Sequence, residues 1–202
     1  MKFKVSEITI IAVFAALWGA MEVSLGTFLH VVKMPMVGAF MAAVGSFILL
    51  IARSFVPKRG TTMIIGFIAA LIKLLSVAGS KLVPAVSIFS ESILVEIILS
   101  VLGTSVLGYC IAAASAVTLT VFQNIIGLIV ISGKGVDYFI SMIEYNFARF
   151  GIVFKSTFTA ILIFISIKVI ICIILGITIG IIAWRTTKKL IRINTAKNCS
   201  CS

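Results

Sequence analysis

The chain has 202 residues, 61% hydrophobic and only 11% charged, and its 17 lysines and arginines against 6 acids give a formal net charge of +11. Soluble domains run nearer to about 45–50% apolar and about 25% charged, so this composition excludes a water-soluble globule and points to an all-α integral membrane protein. The positive charge does not call for nucleic acid as a partner, because the cations stand in short clusters beside apolar runs, where they anchor helix ends against the headgroups of a lipid bilayer.

A crossing takes about 20 residues, so the length suits one compact transmembrane domain over 1–202 with about six helices. The first apolar stretch begins at Ile8 and runs past Ala20 to Val32 without a small-x-small cleavage site. It is therefore expected to remain as the first crossing. In chain order the apolar runs predict helices over about 6–29, 36–56, 61–79, 83–103, 108–132 and 158–184. Residues 133–157 carry Asp137, Glu144, Arg149 and Lys155 among Tyr138, Phe139, Tyr145 and Phe150, and read as an interfacial stretch or lid. Residues 185–202 are expected to form a cytoplasmic tail ending in Cys199, Ser200 and Cys201, with reduced thiols.

Orientation follows from the cations. Lys2 and Lys4 lie at the start, Arg53, Lys58 and Arg59 after the second helix, and Arg185, Lys188, Lys189, Arg192 and Lys197 at the end. With six crossings all three groups fall on one side, and the positive-inside bias makes that side the cytoplasm, with both termini in it and the protein multi-pass in the cell membrane. Lys33, Lys81, Lys134, Arg149 and Lys155 remain on the other side.

The residues that need a reason are the charges within helices: Glu22, Lys73, Glu91, Glu96 and Lys168. An ionised group at the centre of a membrane helix costs about 2.5–3.5 kcal/mol on insertion scales, so these should face the bundle interior. Counting along each helix brings Glu22, Lys73, Glu91 and Lys168, with the amides Gln123 and Asn124 of the fifth helix, to one level in the outer half. Glu96 lies about 140° round the fourth helix from Glu91 and deeper, so it is a weaker member. Two readings stand side by side. Either the set lines a pocket in which lysines meet acidic or carbonyl groups of a ligand and carboxylates and amides meet its donors, with Trp18, Phe28 and Tyr145 as apolar walls, or the charges neutralise one another as a structural lock.

No catalytic or metal site is expected. The single histidine, His30, has no cysteine near it, no Gly-x-Ser-x-Gly elbow occurs, and the Cys199/Cys201 tail offers two ligands where metal sites usually need three or four. No cofactor is implied.

In the first helix Ala12, Ala16 and Ala20 recur at four-residue spacing beside Ala15 and Gly19, a smooth strip that another helix can approach closely, whether within the bundle or from a partner. The fifth helix has a small run of its own, Ala112 to Ala116. With that strip, its length and its six expected crossings, the whole chain resembles the substrate-binding S components of energy-coupling factor (ECF) transporters, the vitamin-uptake branch of the ABC superfamily. In that family an Ala-x-x-x-Ala face on the first helix docks on a transmembrane coupling subunit, and Ala12 to Ala16 or Ala16 to Ala20 matches it here. The resemblance implies a vitamin-like small-molecule substrate held near the outer face, closed over by 27–35 and 133–157. It also implies no enzymatic activity in this chain, ATP being hydrolysed by two separate ATPase subunits. In keeping with that, no Gly-x-x-x-x-Gly-Lys-Ser/Thr loop occurs. The start, Met1-Lys-Phe-Lys, lacks the histidine of the metal-ion branch. The alternative is a self-sufficient secondary transporter or channel for a small solute, which usually shows an inverted repeat; none is evident here.

Overall fold

The computed structural model describes residues 3–32, 36–76, 82–127, 140–141 and 157–199, and within them the regular structure is helical throughout. The helices are α1 (Val5–Val31), α2 (Val37–Phe55), α3 (Thr61–Leu75), α4 (Leu82–Leu102), α5 (Val106–Ile126) and α6 (Thr157–Cys199). All but α3 are long and apolar enough to cross a membrane. The chain is a multi-pass membrane protein. Its outer surface agrees: Phe67, Leu71, Val86, Ile97, Phe122, Leu162, Ile170 and Ile174 are all exposed, which only a lipid solvent makes tolerable.

At the centre stands α2, which touches each of the other five helices. Its sequence explains the position, since Ala39, Ala42, Ala43, Gly45, Ser46 and Ala52 are small enough to let neighbours close in. The indole of Trp18 from α1 fills the gap at Gly45, where a Cβ would lie 2.7 Å from the ring. On one side of α2, the helices α1, α3 and α4 pack as a group around Ile11, Ala15, Trp18, Ile65, Ala69, Ile88 and Val95. On the other side α6 lies along α5 and α2, with Cys172 against Val117 and Val121. Gly176 and Gly180 set the α5–α6 distance: Cβ atoms there would fall 2.3 Å from Ala114 Cα and 2.6 Å from Cys110 Cα. This pair answers the small run of α5, and the two helices run antiparallel.

Two helix boundaries depart from expectation. The third helix, predicted over 61–79, ends at Leu75, where Ser76 turns extended and its hydroxyl donates to the Lys73 carbonyl at 2.8 Å. Its 15 residues rise about 22 Å, short of a hydrocarbon core of about 30 Å. The last helix, predicted over 158–184, continues to Cys199 for 43 residues. The onset of charge at Arg185 marks the edge of the hydrocarbon, not the end of the hydrogen-bonded helix, and 185–199 contain no glycine or proline to stop it. The rest of the segment proposed as a lid, apart from 140–141 and 157, lies outside the described residues, as does Tyr145. Of residues 27–35, those up to Val31 belong to α1.

One end of the bundle gathers most of the described cations, Lys73 and Lys168 lying elsewhere. Lys58, in the turn between α2 and α3, pairs with Glu7 of α1 at 2.6 Å and lies over the Phe3 ring. Tyr109 at the start of α5 donates to the Leu50 carbonyl near the end of α2, and α6 runs antiparallel to α5, so Arg185, Lys188, Lys189 and Arg192 come to this same end.

Here too the N-terminus of α3 is capped from another helix. Gly60 precedes it at φ 87, a left-handed conformation that glycine adopts without strain, and offers no side chain to its unpaired N–H groups. Glu96 of α4 takes over. Its carboxylate accepts from Gly60 N at 2.7 Å, Thr62 N at 3.0 Å, Thr62 Oγ1 at 2.6 Å and Ser100 Oγ at 3.1 Å, and Arg53 NH1 of α2 lies 3.1 Å away as an ion pair, off the line of a hydrogen bond. A negative group against a helix N-terminus also meets the favourable end of its dipole.

Because the atom facing Gly180 is backbone and cannot rotate aside, Gly180→Leu is expected to force α5 and α6 apart and to cost at least about 1–3 kcal/mol. Unfolding of the purified protein in detergent measures it; an unchanged midpoint would show that α6 is not held as described.

Candidate functional site

Glu22, Lys73 and Glu91 come together between α1, α3 and α4, towards the end of the bundle away from the cations. Glu22 is on the inward face of α1, one turn after the buried Trp18, while Ala12, Ala16 and Ala20 point outward. Lys73 is two residues before the end of α3 and reaches across to α1. Its ammonium lies 3.5 Å from Glu22 Oε2 and donates to the Glu22 backbone carbonyl at 2.9 Å. Both side chains are close to fully buried. Gly26, one turn further along α1, borders the pair: a Cβ there would sit 3.6 Å from Lys73 Nζ and 3.8 Å from Glu22 Oε2. One wall of the site is thus bare backbone.

Glu91 enters from α4 and is 5% exposed. It lies within electrostatic reach of Glu22. Among the described residues no hydrogen-bond donor or cation reaches its carboxylate. The Trp18 indole N–H is also unmatched: it lies near the Glu22 carboxylate without a hydrogen bond to it, and the ring is 1% exposed. Buried polar groups are paired in the great majority of cases, so an indole N–H on α1 and a carboxylate on α4 without partners mark the site as incomplete in this form.

The remaining predicted members are placed differently. Gln123 of α5 donates through Nε2 to Ser90 Oγ, the residue before Glu91, and its carbonyl oxygen is buried without a donor. It joins the level of the cluster through α4. Asn124, the next residue, is exposed and lies over Gly38 of α2. Lys168 is half-buried on α6, its ammonium 4.3 Å from the ring centroid of Phe164 one turn before it. Since α6 packs on α5 and α2, Lys168 is on the far side of those helices from Lys73. Equal depth therefore brought together three of the ionisable residues and left the fourth on another face. Glu96 belongs to the α3 cap.

Sequence reasoning passed over Ser90, Gly26, Arg53 and Thr62. For Arg53 a signal existed: it stands three residues inside an apolar helix, where a cation needs a buried partner, and Glu96 was the acid without one. Among the described residues there is no group of three or more histidine, cysteine or acidic side chains that could hold a metal ion.

Breaking one side of a buried ion pair strands the other charge, typically at about 3–5 kcal/mol. Lys73→Met is accordingly expected to destabilise the protein by that order, and Lys73→Met combined with Glu22→Gln to recover most of the loss. Denaturation of both variants in detergent decides it; additive losses would show that the two groups do not form a pair. Comparison with family models, with curated proteins and with solved structures finds no match for this chain, so its function is read from the residues themselves.

Proposed function

We propose that this protein is the membrane-embedded substrate-binding subunit of an ECF-type importer, taking up a vitamin-like small molecule and docking on a coupling subunit through α1. The observation that carries this reading is the Glu22–Lys73–Glu91 cluster. Three ionisable groups from three helices, buried together and only partly matched, suit a site that a polar ligand completes. A purely structural lock would pair every member, as Glu96 is paired in the α3 cap.

Two further features support it. In this chain by itself Ala12, Ala16 and Ala20 face outward, beside the exposed Ile8, Val13 and Leu17, so the smooth strip is available to a partner helix and is not spent on internal packing. Apart from Lys73 and Lys168, the described cations collect at the end opposite the cluster, and the positive-inside bias makes that end cytoplasmic. The ligand site then opens towards the outside, α3 crosses as a sixth, short span, and the docking helix begins in the cytoplasm. ATP hydrolysis resides on separate ATPase subunits.

Co-purification tests the assembly. Wild-type chain is expected to bring down a transmembrane coupling subunit and ATPases, and Ala16→Trp to lose them, since an indole on the strip prevents close approach while the inward face is untouched. Solute uptake driven by this chain alone would replace this reading with a secondary transporter. For orientation, Cys199 and Cys201 in intact cells are expected not to react with an impermeant thiol reagent and to react after permeabilisation. Labelling of intact cells would place the carboxyl end outside.

A further inference from the structure

Counting ordinary charges, the cluster holds two carboxylates and one ammonium, and the ammonium is already committed. Lys73 forms an ion pair with the Glu22 carboxylate and donates to the Glu22 carbonyl. Glu91 is left with no donor and no cation among the described residues, although it is 5% exposed. On α5 the Gln123 carbonyl oxygen is buried and also lacks a donor, while its amide nitrogen donates to Ser90, the residue before Glu91. The unmet demand of these two acceptors, one on α4 and one on α5, is thus for N–H donors and, at Glu91, for positive charge.

With the cluster read as the ligand site, as proposed above, we infer that it recognises an organic cation, a small molecule whose protonated amine completes the shell of Glu91. The surroundings favour an organic ammonium over a metal ion. A hard cation such as calcium takes six to eight oxygen ligands, whereas a single unmatched carboxylate and one amide oxygen suit the few N–H groups of an amine. The buried Trp18 indole beside Glu22 and Met41 near Gly26 supply apolar surface for the body that carries the charge. Lys73 shows that an ammonium is accommodated in this environment, bound by a carboxylate and a carbonyl.

The test uses the detergent-purified full chain and three amines, benzylamine, tryptamine and butylamine, each against its uncharged counterpart, benzyl alcohol, tryptophol and butanol, with benzoate as the anion and sodium chloride as the inorganic cation. Binding is read by titration calorimetry. At least one amine is expected to bind ten times or more tighter than its alcohol, and Glu91→Gln to abolish that preference while the variant stays folded by circular dichroism. Gln123→Leu is expected to weaken the same amine several-fold. Equal affinity for amine and alcohol, preference for benzoate, a response to sodium alone, an amine preference that survives Glu91→Gln, or no binding by any amine would each overturn the inference. The transport reading is judged separately by co-purification with the ATPases. A chain that assembles with them but rejects amines retains that reading and loses this one, and a chain that binds amines without assembling does the reverse.

Discussion

A charge in hydrocarbon must find its complement inside the protein, and the arrangement of the α1–α4 group follows from that constraint. Besides Glu7 at the start of α1, which pairs with Lys58, three acids enter these apolar helices, and each meets the constraint in its own way. Glu96 is fully provided for: four hydrogen-bond contacts and Arg53 surround it, and in return it closes the open end of α3 and ties α2, α3 and α4 at one level. Glu22 is provided for by Lys73, which fixes α3 to α1 near the opposite end. Glu91 is not provided for among the described residues. Two polar knots, one at each end of α3, tie it to α2 and α4 at its start and to α1 near its end, and the third acid has its demand open.

Packing between the knots is set by small residues. Gly45 admits the Trp18 ring, which brings α1 onto α2 and places Glu22 one turn away within reach of Lys73. Gly176 and Gly180 bring α6 against α5 by backbone contact. Without a hydrophobic drive between helices in lipid, such close approach supplies much of the attraction. The positioning of the polar cluster thus depends on residues that carry no chemistry of their own.

Much of this was legible from the sequence, and the failures have physical causes. Residue counts gave the number of helices and the bounds of the first, second and fourth to within about two residues, because the helical rise and a layer of about 30 Å set the length of a full crossing. They gave depth as well, so Glu22, Lys73 and Glu91 were grouped before their contacts were known. Depth alone carries no azimuth, and Lys168 shares the level without sharing the face. The α3 cap was missed because its donor and acceptor are 34 and 36 residues apart and only the fold juxtaposes them. The continuation of α6 was missed because hydropathy reports where lipid ends, while the helix persists as long as its backbone bonds do. Gly176 and Gly180 were readable as a small-x-x-x-small pair, and only the small run on α5 was noticed.

The shortness of α3 has a bearing on the membrane itself. Taken as the sixth crossing proposed above, α3 puts about 22 Å of helix in a hydrocarbon layer of about 30 Å and leaves a deficit on the α1–α3 flank, whereas α6, on the opposite flank, offers a candidate span of 33 residues. Lipid beside the molecule must thin on one side and not on the other, or the whole bundle must lean. Either response deforms the bilayer at a modest cost for each ångström of mismatch. That cost disappears wherever another protein replaces lipid along the short flank, the side on which α1 lies beside α3. Bilayer elasticity therefore adds its own attraction between this flank and a neighbour, one that grows in thicker membranes and fades in thinner ones.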